Sequence, residues 1–406
     1  MERFPLEGIK IIELGTHVAV PSGTRFLADF GAEVIKIEGL TGDAYRAFGA
    51  SDGLPVEPDY NPMFTQWNAN KKLISLNLKS EEGKEAFFKL LEDADVLVSN
   101  VRGAGLRKMG LDYDSLKDRF PRLVYYHFTG LGQTGPDAAR PGFDVAAFWA
   151  RSGLLLDAVH KGSLPVKPPK AMGDCSSGAS VAVGILIALR GRDLTGHGTF
   201  VTSSLYGTGA YYAGNGVLTA QEKFGVEYPM DISASLNPLR NYYQCSDGGW
   251  IVIWAQDYDK DWKKYARVFG LDEFSDNEEY ATLKNIRVYN HVPEIYQKVK
   301  EKFATMTTPE WCELLLKEDI VHERMRHLKD VSTDEQAIAN GYVDTVKFDN
   351  GEEVILPTSP VQMSAFPKKK LKASPHIGAD TMEVLKGLGY SEEQIKELEA
   401  AGVLKC

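Results

Sequence analysis

Short apolar runs alternate with longer stretches of helical periodicity through the first half of the chain. Ile9–Leu14 reads as a buried strand and Val34–Ile37 as a second, with a helix between them that starts near Pro21. A proline suits a first helical position, where its missing amide hydrogen has no carbonyl to serve. Ser80 caps a helix running to about Leu91, with Glu81 and Glu82 at the positive end of its dipole. Asp95–Val98 and Leu123–Tyr126 are further strands. This strand–helix–strand rhythm predicts an α/β fold, a mostly parallel sheet with helices on both faces.

The pattern changes near Tyr228. Residues 250–254, Trp-Ile-Val-Ile-Trp, read as a strand, and helical periodicity follows through Asp319. Lysines and prolines over Pro367–Pro375 predict a linker or a surface crossing. Beyond it, Ser391 and Gln394 make a capping box, and Gly402 is a natural stop for that helix.

A length of 406 residues exceeds the ~100–200 of one domain, so two domains or one elaborate one are expected. With 43% hydrophobic and 25% charged residues, such a chain builds a core that needs no disulfide or metal staple. The formal charge of −10 argues against non-specific nucleic-acid binding, which needs a basic face. It leaves room for an anionic ligand where cations cluster. Cys175, Cys245, Cys312 and Cys406 show no C-x-x-C pair, which fits free thiols in a reducing cytosol. The first residues carry no apolar signal core and no run approaches ~18 apolar residues, so a cytoplasmic protein is expected.

Several short motifs bear on chemistry. Gly130-Leu131-Gly132-Gln133-Thr134-Gly135 matches G-x-G-x-x-G after a strand. A dinucleotide fingerprint needs a helix to start at the glycines, whereas Pro136, Asp137 and Pro141 follow here, so a glycine-rich loop lining another pocket is expected. His322 and His327 flank Glu323, but a spacing of five puts them on different helix faces and denies them a shared zinc ion. Cys175 has no histidine near it in sequence and reads as a small buried thiol. Gly173-Asp174-Cys175-Ser176-Ser177-Gly178 precedes the apolar helical run Ala179–Leu189, placing Asp174 at a helix N-terminus. Two readings stand. Asp174 is a plain N-cap, or a carboxylate held ionised by amide hydrogens and the dipole and available as a covalent nucleophile. Asn100-Val101-Arg102-Gly103-Ala104-Gly105-Leu106-Arg107-Lys108 follows a strand, where α/β sheets bind ligands. Its three cations form either a phosphate site or a solvated basic turn.

Together these segments resemble the class III CoA-transferase (CaiB/BaiF) family over nearly the whole chain. The resemblance is carried by Leu6-Glu7-Gly8-Ile9 through Glu13, Phe30-Gly31-Ala32-Glu33 through Glu38, Gly42-Asp43, Asn68-Ala69-Asn70-Lys71-Lys72 and Ser75-Leu76-Asn77-Leu78-Lys79. Gly130 to Pro136, Gly173-Asp174 and Leu388-Gly389-Tyr390-Ser391 continue it. It implies a Rossmann-like large domain built from both termini, a smaller middle α/β domain, and an interlocked, ring-like homodimer. The boundaries that follow are 1–215 and 340–406 for the large CoA-binding domain and 225–330 for the small one. It implies that Asp174 attacks an acyl-CoA thioester, with coenzyme A as co-substrate and no other cofactor and no metal. By position, Val18, Lys79, Asn100, Arg102, Lys108 and Thr129 resemble CoA contacts, with Arg102 and Lys108 suited to its phosphates.

Departures narrow the branch. No glycine run stands near Asn237–Tyr243, which disfavours a formyl/oxalate enzyme. Phe143 stands where the related acyl-CoA racemases carry a histidine, so half of their acid/base pair is missing. Arg140 through Gly153 resembles the branch acting on 2-hydroxy acids, the phenyllactate and 2-hydroxyisocaproate CoA-transferases of amino-acid-fermenting anaerobes. Phe143, Phe148 and Trp149 suit an apolar acyl side chain or belong to the core. Tyr243-Gln244-Cys245-Ser246-Asp247-Gly248 also resembles the carnitine branch, so a carnitine/crotonobetaine-type transferase and a racemase remain as alternatives. The expected substrates are an acyl-CoA, in particular an enoyl-CoA, and a small free acid.

Overall fold

The computed structural model describes residues 3–406, and two compact units emerge within it. The first comprises the N-terminal segment through Leu154, Lys167–Leu218 and Ser332–Cys406. Its sheet contains β1 (Lys10–Leu14), β2 (Glu33–Glu38), β3 (Lys72–Leu76), β4 (Val96–Ser99), β5 (Val124–Thr129), β6 (Phe200–Ser204) and a terminal strand, Leu404–Lys405. The order is terminal strand, β3, β2, β1, β4, β5, β6. Ile12 of β1 registers in parallel with Ile35 of β2 on one side and Leu97 of β4 on the other. The terminal strand alone is antiparallel, placing Leu404 opposite Leu76. The winding reverses between β1 and β4, and a crevice at the carboxyl ends of such strands is where doubly wound sheets bind ligands.

The strands form because apolar runs buried on both faces suit a parallel sheet. Ile12, Leu14, Ile35, Ile37, Ile74 and Leu97 pack with Phe87 and Leu90 of the helix Glu81–Leu91. Ser80 caps that helix as expected, accepting from Gly83 N at 3.1 Å, and Ser391 and Gln394 form their capping box. The helix expected near Pro21 starts two residues earlier, at Ala19, and its first bond runs from Ser22 N to Val18 O at 2.7 Å. Pro21 is tolerated there because the opening amides of a helix have no internal acceptor. The stretch from Pro367 crosses the surface of this unit, tied by Lys369 N to Asp29 O and by Ser374 N to Thr65 Oγ1.

A long helix, Met172–Thr195, packs on the helix Ala19–Asp29. Their backbones nearly touch: a Cβ on Gly23 would lie 2.6 Å from Gly178 O, and one on Gly178 would run into Ser22 Oγ. The long helix is sufficiently long and apolar to cross a membrane, although no unbroken apolar run announces it, because serines and glycines dilute the run. Val181, Ala182, Ile185 and Leu189 are buried in the unit, while Val183, Ile187 and Leu194 on its other side are exposed.

Under the carboxyl ends of β1 and β2 lies a closed set of charges. Glu13 and Lys36 face each other in register and meet at 3.0 Å; Lys36 also reaches Asp43 at 2.9 Å and Gly15 O at 2.6 Å. Lys71 reaches the second oxygen of Glu13 at 2.8 Å, with Pro21 O and Asn68 Oδ1 as its other acceptors. Lys71 thus spends all three hydrogens, while Lys36 spends two and meets Asp43 as an ion pair. Burial pushes the Glu13 carboxyl up, and the two ammonium groups more than reverse it, leaving it below the ordinary range. Burial, helped by repulsion from Lys36, brings Lys71 down to about 8 against the opposing pull of Glu13. Lys36 faces Asp43, Glu13 and Glu38, and these outweigh its burial and raise it.

The second unit comprises Leu155–Val166 and Thr219–Val331. It has an antiparallel sheet of β7 (Arg240–Gln244), β8 (Trp250–Trp254) and β9 (His322–Arg324), and an aromatic core including Tyr243, Trp262, Phe269, Phe303 and Trp311. Residues 155–166, which the expected boundary places in the large domain, cluster here instead. Val166 N bonds to Leu155 O and Lys161 N to Met230 O, closing that segment on itself and on this unit. His322 is on a strand rather than a helix, with Nδ1 2.7 Å from Ile320 O, and His327 lies exposed beyond it.

Candidate active site

Of the residues singled out in the sequence, Val18, Asn100, Arg102 and Thr129 lie at or just after the carboxyl ends of β1, β4 and β5 in the first unit. After β1 the chain runs through Gly15, Thr16 and His17 to Val18; after β4 it reaches Asn100. Asn100 accepts from Thr16 N at 3.0 Å and donates to Thr16 O at 2.9 Å, extending strand-like pairing past the point where β1 and β4 end. This clamp spans the switch point. His17 has a left-handed φ of 61°, and its amide donates to Asp43 Oδ1 at 3.1 Å, which ties the bend to the buried charges below. Val18 follows it with its side chain buried among Tyr45, Phe64 and Leu73, against Trp67 and Cys175. The whole residue is only 1% exposed, and its carbonyl is taken by Ser22 N.

Thr129 ends β5 and its hydroxyl accepts from Gly132 N at 3.0 Å, opening the glycine loop. Gly132 and Gly135 have φ of 107° and 93°, so glycine is required there. The next helical turn comes only at Asp144–Ala150, as the loop reading expects. Arg102 is the exposed N-cap of the helix Gly103–Met109, and Lys108 is exposed in its last turn. At ~1.5 Å per residue the two are about 9 Å apart along the axis. Lys79 is exposed three residues past β3, two strands and so about 10 Å from β1. His127 was not singled out by the sequence. Its Nε2 contacts Val101 O at 2.9 Å and its Nδ1 contacts Gln133 Nε2 at 2.7 Å, joining the basic turn to the glycine loop.

Asp174 is the third residue of the long helix, which opens on Ala171 in the left-handed region at φ 59°. The expectation that helix amides hold Asp174 ionised is overturned. The amides of Gly173 and Asp174 donate instead to Asp144 Oδ2, at 3.1 and 3.3 Å. Asp144 opens the turn Asp144–Ala150 and is buried, its Oδ1 without a hydrogen-bond partner among the described residues. A Cβ on Gly173 would lie 2.5 Å from both Asp144 Oδ1 and Phe148 Cγ, so glycine is what lets the two segments meet. Burial first, and the Asp144 charge second, push the Asp174 carboxyl up to about 7. Burial and the same two carboxylates push the Cys175 thiol up to about 12, which leaves it neutral and unreactive. Tyr45 rises to about 12, chiefly through burial, and stays protonated. Its ring lies 6.2 Å from His17, which in turn lies 6.0 Å from Phe143. Phe143 is 68% exposed, whereas Phe148 and Trp149 are buried in the core. No charged partner in sequence marks Asp144, because its contact lies 29 residues away.

The model of CoA-transferase family III matches residues 6–381. The chain belongs to this family. The (R)-2-hydroxy-4-methylpentanoate CoA-transferase of Clostridioides difficile is 37% identical to it over 400 residues, 98% of this chain and 99% of that one. The cinnamoyl-CoA:phenyllactate CoA-transferase of Clostridium sporogenes is 37% identical over 393 residues, 97% and 95% of the two chains. A solved CaiB/BaiF family protein from Brucella suis superposes with a TM-score of 0.81 at 26% identity, over 95% of this chain and all of that one. The enzyme is a CoA-transferase, so its substrates are a CoA ester and a free carboxylic acid. The site offers such a transferase a carboxylate at a glycine-framed helix start, beside the crevice end of the sheet, with exposed cations on the adjoining turns.

Proposed function

We propose that this transferase moves CoA from an enoyl-CoA to an (R)-2-hydroxy acid such as 2-hydroxyisocaproate or phenyllactate, through covalent intermediates on Asp174. The observation that carries the reading is the Asp174 carboxyl, half-buried and receiving none of its helix's first amides, in a chain similar end to end to two 2-hydroxy-acid transferases. A carboxylate oxygen attacks the thioester carbonyl; the C–S bond breaks, giving an aspartyl–acyl anhydride and CoA thiolate. The thiolate attacks the aspartyl carbonyl, releases the donor acid and leaves an aspartyl-CoA thioester. The acceptor carboxylate forms a second anhydride by displacing thiolate, and the thiolate takes the new acyl group and restores Asp174. Each step exchanges one acyl link for another, so no thioester energy passes to water, provided the site excludes it.

Coenzyme A is the only cofactor-like molecule the proposal needs. Arg102 and Lys108, with Lys79, supply charge for its phosphates, while Val18, Asn100 and Thr129 complete the contacts. Arg102→Ala is expected to raise the KM for the CoA ester roughly tenfold with kcat little changed, since a phosphate contact is made equally in ground and transition states. Steady-state kinetics at several salt concentrations check this; an unchanged KM removes Arg102 from the CoA site.

The exposed apolar side of the long helix supports the interlocked homodimer that the family resemblance implies, because Val183, Ile187 and Leu194 would otherwise face water. Ile187→Glu is expected to weaken the dimer, read as a lower mass by light scattering. Free thiols at all four cysteines support a cytoplasmic setting. The functional test mixes the enzyme with cinnamoyl-CoA or isocaprenoyl-CoA and a panel of acids that includes 2-hydroxy acids and carnitine. New 2-hydroxyacyl-CoA esters detected by mass spectrometry support the proposal. Exchange only with carnitine moves it to that branch, and α-deuterium uptake without exchange replaces it with a racemase.

A further inference from the structure

The amides that open a long helix are the strongest anion site a backbone offers, and a nucleophilic carboxylate beside them would ordinarily take them. Here another side chain has them. Asp144 reaches across from a separate turn, accepts from both Gly173 N and Asp174 N through Oδ2, and keeps its buried Oδ1 free of any well-formed hydrogen bond, with the Trp149 indole as a polar neighbour. The approach is built into the sequence, since any residue but glycine at 173 would collide with Asp144 and Phe148. We infer that Asp144 is a positioning residue that sets the charge state and reactivity of Asp174, by occupying the helix amides and by holding a second negative charge next to the nucleophile. The inference rests on the reading of Asp174 as the nucleophile.

The physical logic has two parts. A carboxylate without hydrogen bonds is more basic and a stronger attacking group than one whose charge is spread into donors. Repulsion between Asp144 and Asp174 exists only while Asp174 is a free carboxylate. Acylation of Asp174, as anhydride or CoA thioester, removes its charge and relieves the repulsion. The pair therefore raises the resting state relative to the covalent intermediates. Of the two carboxyls, Asp144 has the two amide donors and keeps its charge to lower pH; burial still raises it above the ordinary range.

The other groups facing Asp174 leave this pair in control. Cys175 on the same helix and Tyr45 from the turn Ala44–Asp52 are both neutral through the working range. The helix Ala19–Asp29 meets the long helix through Ser22 and Gly23, which carry no charge. Asp43 acts on Tyr45 from behind, and its charge is held by Lys36. His17 lies beyond Tyr45, packed between that ring and Phe143.

The test is the pH dependence of aspartyl-CoA formation, followed by rapid quench and intact-protein mass spectrometry with cinnamoyl-CoA, in wild type and Asp144→Asn. Asparagine keeps an acceptor for the two amides and removes the charge. In wild type the rate should fall about tenfold per pH unit below about 7. In Asp144→Asn that limb should move down by a pH unit or more, and the plateau above pH 8 should drop at least several-fold. A limb that stays in place while only the plateau drops would show a merely structural role and overturn the inference. Absence of any adduct on wild type would instead overturn Asp174 as nucleophile. Should Asp144→Asn not fold, Asp174→Asn supplies the reciprocal measurement. In wild type the carbon-13 shift of the Asp144 carboxyl should show, above its own titration, a second inflection near pH 7 as Asp174 ionises, and Asp174→Asn should abolish it; an inflection that survives the substitution, or none in wild type, overturns the coupling.

Discussion

Asp174→Ala should abolish CoA exchange, with a loss of at least roughly a thousandfold, while leaving CoA-ester binding within a few-fold of wild type. The nucleophile carries every covalent step, and no neighbour can stand in for it. Cys175 is the adjacent candidate, and burial together with Asp174 and Asp144 hold its thiol protonated. Asp174→Asn should be equally inactive yet more stable than wild type. The folded carboxyl titrates near 7 against 3.8 in an unfolded chain, so folding wild type at neutral pH must either protonate the group or bury its charge. That cost grows as pH rises from about 4 to 7 and is flat above; the contribution present at low pH is lost as pH rises through the folded value. The ceiling is about 4 kcal/mol, and solvent reaching the half-buried group reduces it. Melting curves at pH 4.5 and pH 8 decide it: the Asn variant should gain several degrees at pH 8 and little at pH 4.5. An equal gain at both pH values would assign the effect to packing.

Lys36→Met should be the most destabilising single change at the base of the site. Its ammonium is fully buried between Glu13, Asp43 and Gly15 O. Methionine fills the space but strands Asp43, and breaking one partner out of a buried set costs about 3–5 kcal/mol. A fall of roughly 10 °C in melting temperature is expected. Adding Asp43→Asn should recover part of the loss, because the stranded charge goes with it. Strictly additive effects in that double-mutant cycle would count against direct coupling. Since Asp43 also holds the His17 amide, the single variant should raise the KM for the CoA ester as the His17–Val18 bend loosens.

Much of this was legible in the sequence because the physics was local. Buried parallel strands read as continuous apolar runs, and Ser80, Ser391 and Gln394 declare helix starts through bonds spanning three residues. Asp174 was legible as a small-residue approach to an apolar helix. What escaped reading depends on partners distant in the chain. Asp144 carries no local mark, and its capping of a helix 29 residues on inverts the expected electrostatics of Asp174. Glu13 and Lys36 did leave a trace, each a single charge inside an apolar run, but pairing them needs the register of β1 on β2. Leu155–Val166 looked continuous with the segments around it, and only backbone bonds to its own far end and to Met230 assign it to the other unit.

The terminal strand against β3 sets an order on biosynthesis. Leu404 and Lys405 pair with Leu76 and Ser75, so most of the polypeptide must leave the ribosome before that border of the sheet is covered. The second unit, whose segments lie within residues 155–331, is translated in that interval and can condense first. Until Leu404 and Lys405 arrive, β3 presents an open ladder of amides and carbonyls, the kind of edge that recruits other chains. The nascent enzyme therefore depends on chaperone cover at this edge until Leu404 and Lys405 emerge, and a truncation that removes them would make that exposure permanent.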